Sequence, residues 1–114
     1  MENKSNLKIF VNSPDFKDPD PKLEQYATPV DTTLEIIKKA NSRGHLSGKV
    51  ADLGCGTGRL AIGAAILGAD VTGFEIDAKA LDIAIQYSIE NNLDIKWVSG
   101  AIENIDEELS LIPI

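Results

Sequence analysis

The sequence predicts an α/β fold, built on a parallel sheet of about three strands with flanking helices. Three short apolar segments, 49–53, 70–76 and 95–98, have the length and composition of buried strands. Segments with helical periodicity separate them, and the links are short. The order strand, helix, strand, helix, strand therefore predicts parallel strands joined by right-handed crossovers. At 114 residues the chain is one domain at most.

The first 22 residues are expected to form an irregular lead-in. Pro14, Pro19 and Pro21 lie within eight residues of one another, and this density of proline excludes a regular helix there. Within the same stretch, LKIFV over 7–11 is interpreted as a short strand or as a segment packed on the surface.

A first helix is predicted over 29–42. Thr28 can cap it, and Pro29 suits the first helical position because an N–H there would have no partner within the helix. Gly44 follows as a natural end.

The two crossover helices also have recognisable ends. Gly68 closes the helix RLAIGAAIL after the first strand, and Asp77 caps the helix after the second strand. The second of these helices carries an apolar row beside a row of small residues. The apolar row is Leu81, Ile85 and Ile89, and the small row is Ala80, Ala84 and Ser88.

Composition and charge exclude several classes of protein. No apolar run approaches the roughly 20 residues of a membrane span, and the first ten residues lack the apolar core of a signal peptide. The single cysteine, Cys55, cannot form an internal disulfide or a metal cluster, which favours a reducing, cytoplasmic location. The net charge is −7: residues 1–50 hold eight basic and seven acidic residues, and residues 51–114 hold three and eleven. A stand-alone nucleic-acid binder would be basic instead.

The segment VADLGCGTGRL, over 50–60, predicts a ligand-binding turn between the first strand and the helix that follows. Glycines allow a ligand to approach the backbone closely, and the helix N-terminus offers free N–H groups. The order is D-x-G-x-G-x-G, beginning at Asp52. In the dinucleotide pattern G-x-G-x-x-G/A the third glycine would fall on Arg59, which is too bulky for that position. No Lys-Ser/Thr pair follows, so a P-loop is excluded.

Acidic residues at the end of the second strand support a nucleoside site. Glu75 lies 21 residues after Gly54, where a carboxylate can accept hydrogen bonds from ribose hydroxyls. Ile76 beside it can press on a purine face. The alternative interpretation is that the glycines only make a tight turn and that the acidic residues only cap the next helix.

Three segments, VADLGCGTG, VTGFEID and ALDIAIQ, resemble the cofactor half of class I S-adenosylmethionine-dependent methyltransferases. A fourth, LEQYATP over 23–29, resembles the LEQY-x-T segment of the methyltransferase-like five family and its archaeal relatives. The resemblance covers residues 23 to about 100. It implies a partial Rossmann-like methyltransferase fold and S-adenosyl-L-methionine as the cofactor. In eukaryotes that family modifies an adenine N6 in small-subunit ribosomal RNA and works with a small activator protein.

The resemblance also implies a set of cofactor-binding residues in this sequence. Gln25 and Thr28 would contact the cofactor from above, Asp52 would orient the methionine amino group, Glu75 would hold the ribose hydroxyls, and Ile76 would pack on the adenine. The methionine and ribose side would be lined by Gly54, Gly56, Thr57 and Arg59.

Two departures from the family's pattern matter. Ala101 stands where the family usually has an acidic residue that contacts the adenine amino group, which leaves only the backbone of Ala101 and Ile102 for that contact. The N-P-P-F/Y segment that clamps the target nitrogen is absent from the 114 residues, so the sequence offers no candidate catalytic residue. No metal site is expected either, because the single cysteine offers no metal cluster. Residues 23–114 are therefore expected to be a cofactor-binding methyltransferase domain that is truncated before its substrate-binding half.

These departures leave three functional hypotheses. The first is the cofactor-binding half of a methyltransferase related to those that modify adenine N6 in ribosomal RNA, with RNA as substrate and a small activator protein as partner. The second is a non-catalytic fragment that binds cofactor or a partner, and the third is a protein glutamine N-methyltransferase. With only three strands, the first strand would have an open edge, on which a second copy of the chain could pair.

Overall fold

The computed structural model describes residues 4–15, 29–100 and 110–112, and helices alternate with strands through most of them. The elements are α1 (Lys4–Val11), α2 (Val30–Ser42), β1 (Lys49–Leu53), α3 (Arg59–Ile66), β2 (Asp70–Glu75), α4 (Ala78–Glu90), β3 (Ile95–Ser99) and β4 (Ser110–Ile112). In these residues no helix is long and apolar enough to cross a bilayer.

The three predicted strands form a parallel sheet, which confirms the predicted fold class. β2 lies between β1 and β3, and its register runs from Lys49 opposite Asp70 to Leu53 opposite Phe74 on one side. On the other side Glu75 lies opposite Ser99. Because the strands are parallel and nearly in step, the turns after β1, β2 and β3 emerge at one edge of the sheet. We call this edge the carboxyl edge.

A fourth strand covers the free side of β1, so the expectation of an open edge at β1 was wrong over part of that strand. β4 pairs in parallel with β1, and Val50, Ala51 and Asp52 lie opposite Ser110, Leu111 and Ile112. The sheet order is β3-β2-β1-β4. Pairing satisfies backbone groups of a buried apolar strand, which is the physical reason for a short strand to form there. Pairing with a second copy of the chain stays a prediction.

The N-terminal segment corrects the prediction of an irregular lead-in. Residues Lys4–Val11 form α1 instead of a strand, and Phe10 at its end is completely buried. On α3, Gly63 leaves room for this ring: a Cβ there would lie 3.0 Å from Phe10 Cε1. An eight-residue helix is marginal alone, so the packing of α1 on α3 is what stabilises it.

The remaining helices follow the predictions with one difference. Pro29 occupies the N-cap position of α2 instead of the first helical position, and Thr28 lies outside the described residues. Asp77 caps α4 as predicted, with Oδ1 accepting from the backbone N–H of Lys79 at 3.0 Å. In the apolar row of α4, Ile89 in the last helical turn is 70% exposed.

The small-residue row of α4 is buried beside the indole of Trp97 on β3, together with Leu81 of the apolar row, which is 5% exposed. Ala80, Ala84 and Ser88 are all buried. Trp97 Nε1 donates a hydrogen bond of 3.0 Å to Ser88 Oγ. A larger side chain in this row would displace the indole.

Candidate functional site

The turn between β1 and α3 is built from three glycines in the left-handed region of backbone conformation. Gly54, Gly56 and Gly58 have φ angles of 68°, 57° and 91°. Side chains at such positions are strained, which explains a glycine at every second position. Residues 54–58 are called the glycine loop below. Gly58 is also the N-cap of α3, so the loop leads directly into the N–H groups of the first helical turn.

The carboxylate of Glu75 braces the glycine loop from the end of β2. Its Oε1 accepts from the backbone N–H of Gly56 at 2.7 Å, and its Oε2 accepts from those of Ile76 at 2.9 Å and Asp77 at 3.0 Å. A carboxylate has about four acceptor sites. Three are therefore used within the chain, and Oε1 keeps one for a further donor.

Asp52 places a carboxylate in the interior beneath the loop. It is completely buried, and neither of its oxygens has a hydrogen-bond partner among the residues that the structure describes. Burial, with the negative charge of Glu75 acting in the same direction, raises the pKa of Asp52 from 3.8 to about 7. The backbone amide of Ala61 in the first turn of α3 lowers this pKa without reaching hydrogen-bond geometry. A buried polar group without a partner is costly, so the surroundings of Asp52 fit a ligand that is cationic or donates hydrogen bonds.

Cys55 lies in the glycine loop, in surroundings that disfavour its reactive thiolate form. Its side chain is buried, and burial raises the pKa of the thiol well above its usual range, with the charges of Asp52 and Glu75 acting in the same direction. The thiolate is the nucleophilic form of cysteine, so this environment disfavours covalent chemistry at Cys55.

Thr57 and Arg59 contact a distant part of the chain. Thr57 Oγ1 donates to the carbonyl oxygen of Pro14 at 2.7 Å. Arg59 Nε donates to Ser13 Oγ at 3.0 Å, and Arg59 Nη2 donates to the Ser13 carbonyl oxygen at 3.0 Å. Sequence reasoning assigned Thr57 and Arg59 to the cofactor and did not find Ser13 or Pro14, because no local pattern links residues more than 40 positions apart.

Ile76 presents an apolar surface at the carboxyl edge. It directly follows Glu75, and its side chain is 77% exposed. Gly100, which follows β3, donates its backbone N–H to the carbonyl oxygen of Glu75 at 3.2 Å, so the end of β3 meets the same point. Four other predicted site residues lie outside the described residues: Gln25, Thr28, Ala101 and Ile102.

Trp97 supports the glycine loop from the side, a role that the sequence did not indicate. A Cβ at Gly58 would lie 2.9 Å from its Cη2 atom, and a Cβ at Gly73 would lie 2.6 Å from its Cε3 atom. The indole therefore lies against the backbone of both glycines. Among the described residues, no group of three or more His, Cys, Asp or Glu side chains is arranged to hold a metal ion.

Comparison with known proteins identifies the family with this geometry. The sequence profile of a family described as "Methyltransferase domain" matches residues 50–111, which include the glycine loop, Glu75, all of β2 and β3 and all but one residue each of β1 and β4.

Curated relatives include proteins with different acceptors. The chain is 35% identical over 111 residues to an uncharacterized protein of Methanocaldococcus jannaschii, covering 95% of this chain and 50% of that protein. It is 43% identical over 70 residues to the rRNA N(6)-adenosine-methyltransferase Mettl5 of Drosophila melanogaster, covering 59% and 33% of the two chains. It is 39% identical over 70 residues to a ubiquinone biosynthesis O-methyltransferase of Paraburkholderia phymatum, covering 60% and 30%. The chain thus spans half or less of the length of these relatives.

Solved structures share the fold. The crystal structure of a proposed RNA methyltransferase from Pyrococcus horikoshii matches with a TM-score of 0.77 and 38% identity, covering 92% of this chain and 55% of that one. The magnesium protoporphyrin IX methyltransferase of Synechocystis PCC 6803, whose structure contains bound SAM, matches with a TM-score of 0.60 and 28% identity. The match to the Synechocystis enzyme covers 67% of this chain and 38% of that enzyme.

Proposed function

The chain belongs to the methyltransferase domain family, and we propose that it binds S-adenosyl-L-methionine at the carboxyl edge of the sheet. We further propose that it forms the cofactor-binding part of a methyltransferase that acts on adenine N6 in ribosomal RNA. When bound, the cofactor supplies an electrophilic methyl group on its sulfonium sulfur. The N-P-P-F/Y segment is absent from these 114 residues, so the proposal assigns them cofactor binding and leaves the acceptor clamp outside them.

The observation that carries the proposal is the buried, unpartnered carboxylate of Asp52. The ammonium group of an amino-acid ligand supplies a positive charge and three donors, which are what this carboxylate lacks. Contact can be direct or through a water molecule. A fully buried acid without such a partner destabilises the fold, and a bound ammonium group would offset that cost.

Glu75 and Ile76 fit the nucleoside part of the same ligand. The remaining acceptor site on Glu75 Oε1 can take a hydrogen bond from one ribose hydroxyl while the three backbone contacts of Glu75 are kept. The exposed side chain of Ile76 offers an apolar surface on which the purine can pack. One carboxylate would thus both hold the backbone of the glycine loop and contact the ribose.

Electrostatics favours this cofactor over a dinucleotide. The charges of Asp52 and Glu75 lie close enough together for Glu75 to raise the pKa of Asp52. A diphosphate would bring two more negative charges to this place, whereas a sulfonium and an ammonium group bring positive ones. The guanidinium of Arg59 keeps its positive charge, but its Nε and Nη2 atoms donate to Ser13 and would have to leave it to bind a phosphate.

The choice of RNA as acceptor rests on similarity. The relative Mettl5 is named as an rRNA N(6)-adenosine-methyltransferase, and the Pyrococcus structure as a proposed RNA methyltransferase. The net charge of −7 would repel a polyanion, so basic surface from another segment or from a small activator protein is part of the proposal.

Calorimetric titration tests the cofactor. We expect S-adenosyl-L-methionine and S-adenosylhomocysteine to bind to the chain with one site and NAD to show no heat of binding. Asp52→Asn should weaken both cofactor forms, and Asp94→Asn, at an exposed position beyond α4, is the control. Binding of NAD alone would contradict the proposal.

A transfer assay tests the acceptor. The chain is incubated with radiolabelled S-adenosyl-L-methionine and, in separate reactions, ribosomal RNA, a glutamine-containing peptide and a catechol. Label recovered as N6-methyladenosine supports the proposal, whereas label in the peptide or the catechol contradicts the acceptor class. Cofactor binding without transfer to any of the three supports the alternative that the chain alone is a non-catalytic, cofactor-binding unit.

A further inference from the structure

The segment that follows α1, Ser13 and Pro14, is hydrogen-bonded to the residues on both sides of Gly58. On one side Thr57 donates its hydroxyl to the Pro14 carbonyl at 2.7 Å. On the other side Arg59 makes two hydrogen bonds to Ser13, each of 3.0 Å. Gly58 has a φ angle of 91° and begins α3. The two contacts therefore hold the residues on either side of the turn that opens the helix.

This contact is buried and directional. Ser13 is 5% exposed and Thr57 is 2% exposed. Ser13 Oγ donates its proton to the carbonyl oxygen of Phe10 at 2.6 Å. Because that proton is committed, the oxygen presents its lone pairs to Arg59 Nε, and hydrogen bonds with a charged partner are the stronger kind.

Helix α1, which precedes Ser13, is anchored in the core. Phe10 is completely buried in the main hydrophobic cluster, and Tyr87 on α4 donates its hydroxyl to the carbonyl oxygen of Ile9. α1 is thus held to α3 by packing and to α4 by a hydrogen bond. A rigid support of this kind can transmit its own position to the glycine loop.

We propose that Ser13 is a positioning residue for the cofactor site and that it acts through Arg59. Fixing Thr57 and Arg59 fixes the left-handed turn at Gly58 and the direction of the first N–H groups of α3. A loop with three glycines has much conformational freedom to lose on binding, so prior immobilisation increases affinity. The inference rests on the proposed binding of S-adenosyl-L-methionine at this loop. It also assigns Arg59 a partner within the chain where the family resemblance implied a contact with the cofactor.

The matched pair Ser13→Ala and Ser42→Ala tests it. Both serines follow or end a helix and donate to the carbonyl oxygen three residues earlier, Ser42 to Lys39 at 2.8 Å. Only Ser13 also accepts from an arginine beside the glycine loop. Neither serine is a proposed ligand of the cofactor. We expect Ser13→Ala to raise the cofactor Kd roughly three- to tenfold, and Ser42→Ala to change it less than twofold.

A double-mutant cycle shows whether the effect passes through Arg59. In an Arg59→Met background, the further change Ser13→Ala should alter the Kd less than twofold, since the shared contact is already lost. Ser13→Thr, which keeps the hydroxyl, should restore most of the affinity. Equal effects of Ser13→Ala in both backgrounds would overturn the proposal.

Hydrogen exchange without cofactor separates this inference from the proposed function. The backbone N–H groups of Cys55, Gly56 and Gly58 are all hydrogen-bonded within the chain. In Ser13→Ala they should exchange at least several-fold faster, while amides of β2 keep their rates. If the wild-type chain fails to bind cofactor, the proposed function fails, yet these rates still report on the loop. Unchanged loop exchange in Ser13→Ala would overturn the positioning role.

Discussion

Glu75 accepts a hydrogen bond from the backbone of Gly56, with 2.7 Å between its Oε1 and the glycine nitrogen. The two residues are 19 positions apart and belong to different strand-to-helix turns. This bond joins the end of β2 to the glycine loop after β1. A side chain that the sequence associates with a ligand thus also shapes the backbone around that ligand.

We expect Glu75→Gln to weaken cofactor binding and to destabilise the fold together. An amide can accept from only one of its two ends, so one or two of the three backbone N–H groups lose their partner. The free energy of unfolding should fall by roughly 1–3 kcal/mol, and the cofactor Kd should rise about tenfold or more. Urea unfolding and calorimetry measure the two. Glu90→Gln, on the exposed end of α4, is the control. A loss of affinity without any loss of stability would show that Glu75 is not a brace.

Stability should depend on pH through Asp52. Its pKa in the folded chain is about 7, against 3.8 when unperturbed, so the folded state holds this proton over a range in which the unfolded state has released it. The stabilisation by the proton is complete below about pH 4 and is lost as the pH rises to about 7. The unfolding free energy of the wild type, relative to that of Asp52→Asn, should therefore fall by roughly 2–4 kcal/mol from pH 4 to pH 8. A difference that does not change with pH would contradict the burial of an unpartnered carboxyl group.

Cofactor affinity should depend on pH in the opposite sense. The proposed ammonium contact needs the charged form of Asp52, and that form grows as the pH rises through about 7. We expect the Kd for S-adenosyl-L-methionine to fall roughly five- to tenfold between pH 6 and pH 7.5. In Asp52→Asn this dependence should disappear, and the affinity should be uniformly weak. An affinity that weakens over the same range in the wild type would argue against a charged Asp52 in the complex.

Gly58→Ala and Gly68→Ala should differ in cost because of Trp97. Both glycines have similar φ angles, 91° and 96°. A Cβ at Gly68 would meet nothing within 4 Å, whereas one at Gly58 would lie 2.9 Å from the indole of Trp97. Backbone strain alone should lower the unfolding free energy by roughly 1–2 kcal/mol at Gly68, and overpacking should add roughly 1–3 kcal/mol at Gly58. Thermal or urea unfolding of the two variants gives the comparison. Equal losses of unfolding free energy in the two variants would show that the indole of Trp97 moves aside without an energetic cost.

Local patterns in the sequence were sufficient for the alternating core of the fold. Strands β1, β2 and β3 and helices α3 and α4 lie within a residue or two of their predicted bounds. Their signals are short in range: apolar runs, the cap at Asp77, and glycines whose conformation few other residues adopt. The same short-range logic identified the glycine loop, and Glu75 and Asp52 lie beside it as expected.

Other features depend on contacts between distant residues. Helix α1 forms because Phe10 packs against α3, which its own eight residues do not reveal. Strand β4 forms because β1 offers unpaired backbone groups about 60 residues earlier in the chain.

The order of the central elements and the glycine-rich turn after β1 followed from local sequence patterns, since both depend on neighbouring residues and on intrinsic backbone preferences. The contacts of each side chain in the site could be seen only once the chain had folded. Arg59 meets Ser13, 46 positions away, and Asp52 is sealed from solvent with no partner among the described residues. Burial and long-range hydrogen bonds are properties of the assembled chain, because they depend on which surfaces meet once the sheet and helices have packed.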